Sequence, residues 1–189
     1  MSAWWLGLLL AVLLFWSVGA YNRLMRLRAR VSQAFAALDE RLVQQLTWVQ
    51  GCLPLDELGE ASSMGAETPA LAAWRHLRAA SEQLTHSLTA ARARPLEPRA
   101  TAALTAARGV LNTSWQRVGA LGDLREATVP EAWRAEHEQL LGQILLRCEA
   151  FNQAARAYND AIAQFPALLL ARVFGFRPAG VMQPMALVG

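Results

Sequence analysis

The chain has 189 residues, 18 basic and 15 acidic, a formal net charge of +3, and 54% hydrophobic side chains. That length holds one membrane span and one domain of ordinary size, and no basic run interleaved with aromatics marks a nucleic-acid surface, so no nucleic acid is expected as a partner. The two cysteines, Cys52 and Cys148, have neither CxxC nor metal-ligand spacing and read as small core residues.

Every basic residue is Arg. With the abundance of Ala, Leu and Gly this reflects compositional bias and carries no function of its own. Residues 2–20 are uncharged, and 19 helical residues cover roughly 28 Å, the thickness of a bilayer core. Trp4 and Trp5 at one end and Trp16 and Tyr21 at the other suit the two interfaces. Residues 2–21 are therefore expected to be a transmembrane anchor. A cleaved signal peptide competes, because Val18-Gly19-Ala20 resembles a cleavage site. Against it stand the uncharged N-terminal flank, the length of the apolar stretch, and Arg23, Arg26, Arg28 and Arg30 just after it. The same four arginines place the C-terminal side in the cytoplasm and the N-terminus outside; an exported bundle is the alternative.

No helix breaker lies between the span and Gly51. Leu24, Leu27, Val31, Phe35, Leu38, Leu42, Leu46, Val49 and Leu53 recur in steps of three and four, one apolar stripe on a helix continuous with the span. Residues 54–68 carry Pro, Gly and Ser and read as a loop. A second helix starts with Thr68 as N-cap and Pro69 in the first turn, with Leu71, Trp74, Leu77, Ser81, Leu84 and Leu88 on one face. Pro95 and Pro98 separate it from a third, facing inward with Leu104, Ala107, Leu111, Trp115, Val118 and Leu121 and weakened by Gly109, Gly119 and Gly122. A fourth begins after Pro130 and ends or kinks at Pro166; Phe151, Tyr158 and Phe165 repeat every seven residues along its seam. The fold class expected is all-α: an N-terminal transmembrane helix running into a long antiparallel four-helix bundle over residues 22–166. Residues 167–189 form an apolar tail.

Two local motifs are recognisable. Tyr21-Asn22-x-Leu24-x-x-Leu27-Arg28-x-x-Val31-x-x-Ala34-Phe35-x-x-Leu38-Asp39 resembles the opening motif of the bacterial LemA family. Phe151-Asn152, then Tyr158-Asn159-x-x-Ile162-x-x-Phe165-Pro166 and Phe174-Gly175-Phe176, resembles its closing motif. Together they fall within residues 21–39 and 151–176. The chain departs from the family at Gln44-Gln45, where a basic pair is usual, and at Val49-Gln50-Gly51-Cys52, where an Ile-Pro-Asn-Leu turn is usual. The resemblance implies a membrane-anchored helical bundle of the bacterial cytoplasmic membrane, with no established catalytic activity. It singles out Tyr21, Asn22, Arg28, Phe35, Asp39, Asn152, Tyr158, Asn159, Phe165 and Pro166 as structural positions.

Chemistry is sparse. His76, His86 and His137 lack the Glu-x-x-His pairing of a di-metal bundle site; Glu82 with His86, and Glu136-His137-Glu138, read as solvated charge. No nucleophile elbow or phosphate loop is present, and no cofactor or metal is expected. Asn152, Asn159 and Asn22 read as amides near a seam that set helix register. Alternating helix directions would gather Arg23, Arg26, Arg28, Arg30, Arg92, Arg94, Arg99, Arg172 and Arg177 beside the membrane, and Asp56, Glu57, Glu60, Glu67, Asp123, Glu126 and Glu131 at the far end. The tail carries Arg172, Phe174, Phe176 and Arg177 and is expected at the membrane interface, its apolar side chains in the acyl boundary. The alternatives are a cap on the bundle's base or burial in a neighbouring protomer. A non-catalytic scaffold or assembly factor, working on membrane lipids, on a membrane or envelope protein, or as a homo-oligomer, is the function expected. A signal relay and an accessory subunit of an envelope enzyme are the competing readings.

Overall fold

The computed structural model describes residues 3–54, 68–122, 129–165 and 167–183. They form five helices with no strand among the described residues: α1 (Ala3–Cys52), α2 (Pro69–Ala93), α3 (Pro98–Gly122), α4 (Glu131–Ala163) and α5 (Ala167–Phe174). Residues 55–67 of the expected loop at 54–68, residues 184–189 of the tail, the acidic residues Asp56, Glu57, Glu60, Glu67, Asp123 and Glu126, and Pro166 lie outside the described residues.

α1 runs unbroken for 50 residues, roughly 75 Å at 1.5 Å per residue. It is the one described helix long and apolar enough to cross a membrane. Its first part is bare: Trp4, Trp5, Leu8–Leu10 and Phe15 are exposed. From Leu24 the stripe turns inward, and Leu24, Val31, Phe35, Leu38, Leu42, Leu46 and Val49 are buried.

The other helices start and stop where local chemistry directs. Thr68 Oγ1 accepts from the Leu71 N–H at 3.2 Å, with Pro69 in the first turn of α2. A four-residue turn, 94–97, joins α2 to α3, closed by the Glu97 N–H on the Arg94 carbonyl at 3.0 Å. α4 opens after Pro130 with Glu131 in its first turn, favourable for the helix dipole. It stops at Ala163, because Gln164 is extended (φ −84°, ψ 138°). The heptad phase therefore does not carry to Phe165, which the sequence places on the seam; it is 76% exposed.

Packing is pairwise. α1 lies against α4 and α2 against α3. Phe35 meets the edge of Phe151 at 6.0 Å, and Trp48 meets His137 at 5.7 Å. Numbers rising on α1 while falling on α4 make that pair antiparallel. The two pairs are linked by Arg92 on Asp39 at 2.8 Å, by Trp48 on Trp115, and by Trp115 on His137, both ring pairs at 4.8 Å. One hydrophobic cluster draws on all five helices.

Candidate functional site

The densest polar construction lies at one end, where the chain leaves α5. Gly175 is left-handed, φ +67°, and the Phe176 N–H reaches back to the Ala171 carbonyl at 2.9 Å. That is a glycine-terminated helix end. Only a residue that tolerates positive φ makes this turn, and the turn sends residues 176–183 across the base of the bundle as an extended strap.

Two side-chain amides on α4, one heptad apart, hold it. Asn159 donates from Nδ2 to the Ala179 carbonyl at 2.9 Å and accepts from the Ala179 N–H at 2.7 Å. Asn152 does the same with Met182, at 2.8 Å each way. An amide side chain carries the donor and acceptor of a peptide group, so each Asn acts as a strand partner for one strap residue. On the other side the Gly180 N–H donates to the Leu96 carbonyl at 3.0 Å. A Cβ on Gly180 would lie 2.7 Å from Pro98 Cα and collide with Thr101 Oγ1, so glycine is required by close approach. Ala179, Gly180 and Met182 are buried. The amides thus do something other than setting helix register: they bind the tail, so this part of it packs into the bundle as a cap. Asn22 is exposed and takes no part.

Aromatic rings join the base to α1. Trp16 sits 6.0 Å from Phe165, and Tyr21 sits 5.3 Å from Phe174 and 6.0 Å from Phe176. Trp16 and Tyr21 are five residues apart, roughly 7.5 Å along the axis. Across that band Phe165, Leu169, Val173 and Phe174 expose 55–77% of their surface. A groove of about 760 Å³ runs between Ala11–Leu24 of α1 and Phe165. Arg23, Arg26, Arg28, Arg30, Arg172 and Arg177 are all exposed here, whereas Phe176 is half-buried. Phe35 and Tyr158 are core residues, and Asp39 is spent on Arg92.

Two further groups are ones that the sequence reading misplaced or missed, His137 away from the base and Arg108 beside the strap, where its partner Cys148 lies 4.0 Å from Met182 Sδ. His137 is buried, not solvated. Its ring stacks on Trp115 at 26° and meets Trp48, and its Nε2 has no hydrogen-bond partner. Burial lowers its pKa to about 4. The signal was there: His137, Leu140, Ile144, Cys148 and Phe151 share one face at helical spacing, and the flanking glutamates point away. Arg108 is buried, with Nη1 donating to Cys148 Sγ at 2.9 Å and Nη2 unpaired. Burial pushes the Cys148 thiol up, and Arg108 works against that. Burial, with Glu136 adding to it, also pushes Cys52 up to about 11, so both thiols stay protonated and inert at neutral pH.

Comparison with family models, with curated proteins and with solved structures gave no match. None of the three assigns the chain to a family. What the geometry adds is that the two sequence motifs, at opposite ends of the bundle sequence, meet at the base: Tyr21 touches Phe174 and Phe176, two turns before Arg28.

Proposed function

We propose that the chain is a single-pass membrane protein of the LemA type whose helical bundle acts as a non-catalytic scaffold or assembly factor, with its base seated in the bilayer interface. α1 to α4 then form one up-down-up-down bundle. In support, Arg108 with Cys148 and Trp115 with His137 set α3 antiparallel to α4, and the short turn does the same for α2 and α3. The bilayer is that of the bacterial cytoplasmic membrane, with the bundle on the cytoplasmic side as the arginine flank directs.

One observation carries the seating. The exposed apolar band of Phe165, Leu169, Val173 and Phe174 lies level with Trp16–Tyr21, the end of the apolar half of α1. If that half spans the bilayer, the band enters the acyl boundary whatever else the protein does. Arg23, Arg26, Arg30 and Arg172 flank it at headgroup height, each worth up to about 1 kcal/mol near an anionic surface. Interfacial contact is thus built from α5 and the rim, while the strap beside it closes the base.

A signal relay is the second reading, favoured by the unbroken course of α1 from Ala3 to Cys52. Photocrosslinkers on exposed positions of α2 and α3, such as His76, Gln83 and Thr113, separate the two. In native membranes a scaffold gives one protein partner, or a second copy, at a defined set of positions. Crosslinks to lipid alone contradict the scaffold.

A further inference from the structure

A second cleft, about 640 Å³, opens at the base between α1, the 94–97 turn and the start of the strap. Its wall carries Arg28, Arg94, Arg99 and Arg177, from three separate parts of the chain, with Glu97 the one carboxylate among its described lining residues. Glu97 is engaged with Arg94 at 3.2 Å. Arg28, Arg99 and Arg177 have no ion pair with a described residue. Tyr158, almost wholly buried, reaches the same cleft.

Four arginines line one space, and like charges gathered there repel one another. They arrive by separate routes: Arg28 on a helical face of α1, Arg94 and Arg99 on either side of a turn, and Arg177 through the left-handed turn at Gly175. Four positive charges against one negative leave a surplus of three. We propose that this cleft is a binding site for a phosphoryl group, a phosphomonoester dianion, with Arg28, Arg99 and Arg177 as its ligands and Tyr158 as a neutral hydrogen-bond donor. Guanidinium forks match phosphate oxygens two at a time, which a single lysine-like charge does not. The volume falls in the range of small-molecule sites and leaves room for the carbon body of an ester beside Leu96, Phe176 and Pro178, which also line it. Tyr158 suits the role, since burial raises its pKa, with Arg28 opposing, and a protonated phenol donates to an anion. The group can come from a lipid headgroup of the phosphatidate kind or from a soluble phosphate ester. The site stands on its own geometry and can fail while the interfacial seating holds.

The test uses the full chain in nanodiscs of zwitterionic lipid. One arm titrates inorganic phosphate and pyrophosphate by calorimetry; the other adds a few per cent phosphatidic acid and counts retained lipid by native mass spectrometry. The double variant Arg99→Gln/Arg177→Gln is compared with Arg147→Gln/Arg156→Gln, which removes equal charge from the exposed side of α4. All four are exposed, and thermal melts check that both variants remain folded. The cleft variant is expected to bind at least ~10-fold more weakly, and the α4 variant to match the parent. Saturable binding of soluble phosphate assigns the source to the aqueous phase; retention of phosphatidic acid alone assigns it to the headgroup. Binding of neither probe, equal loss in both variants, or no loss in the cleft variant overturns the site. Fluorescence quenching at α5 reads the interfacial seating independently.

Discussion

The two ends of the helical assembly solve the problem of buried polar groups in opposite ways. At the base, α4 turns Asn152 and Asn159 inward, and each meets a peptide group of the strap donor to acceptor and acceptor to donor. Toward the other end, the same helix turns His137 inward between two tryptophans and leaves Nε2 without a partner. The difference lies in what packs beside α4: a segment with free backbone groups at the base, and finished helices with no backbone to offer at the other end. An extended strap is thus the more polar material to bury, and the end that has one can also display charge and apolar surface outward.

The largest effect expected breaks both ends at once. Phe35 is buried where α1 meets α4, edge-on to Phe151. Phe35→Asp places a carboxylate there at a cost of several kcal/mol, against a typical net stability of about 5–15, and circular dichroism should show a molten or unfolded bundle. Gln153→Ala, exposed on α4, should melt like the parent.

Next comes a change confined to the base. Asn152→Leu removes two hydrogen bonds and leaves the Met182 N–H and carbonyl buried without partners, at about 1–3 kcal/mol for each group. Hydrogen exchange should rise first in residues 176–183, with α2 and α3 still protected. Uniform loss across all helices would show that the strap is not a separate unit.

A pH experiment addresses the other end. Burial lowers the His137 pKa from 6.5 to about 4, so between those values the unfolded chain takes up a proton that the folded chain refuses. Stability is fully present above pH 6.5 and falls as pH drops toward 4, by about 3 kcal/mol. Denaturant midpoints measured on either side of that window should show the fall. His137→Phe should flatten it, leaving only the part that carboxylates contribute.

These outcomes track what the sequence could and could not convey. The stripe from Leu24 to Val49 was legible because burial on a helix is periodic: all its positions are buried but Leu27, which is half-buried, and it missed the buried Gln45. The cap at Thr68 was legible because it is local. The strap was not: Ala179 and Met182 are buried by amides 20 and 30 residues earlier, with no period to betray them. Phe165 was misread by extending a heptad past Ala163, where the helix had ended. His137 was misread from its neighbours in sequence, when its neighbours on the helix face, Leu140 and Ile144, were the informative ones. At the base, the cleft lined by Arg28, Arg94, Arg99 and Arg177 depends on Gly175 and the 94–97 turn, which no period in the sequence brings together.

The central claim is that the base of the bundle lies in the membrane interface. It is tested most directly by depth-dependent fluorescence quenching on the full chain in nanodiscs, with an environment-sensitive label at Leu169→Cys or Val173→Cys and a reference at Gln153→Cys, the buried Cys52 and Cys148 being left in place. Nitroxide lipids labelled near the headgroup should quench both α5 labels strongly. The Gln153 label, 12 residues before Phe165 on the same side of the chain's turn, stands roughly 18 Å higher along α4 and should not be quenched. Quenching at Leu169 and Val173 no greater than at Gln153 would contradict the account.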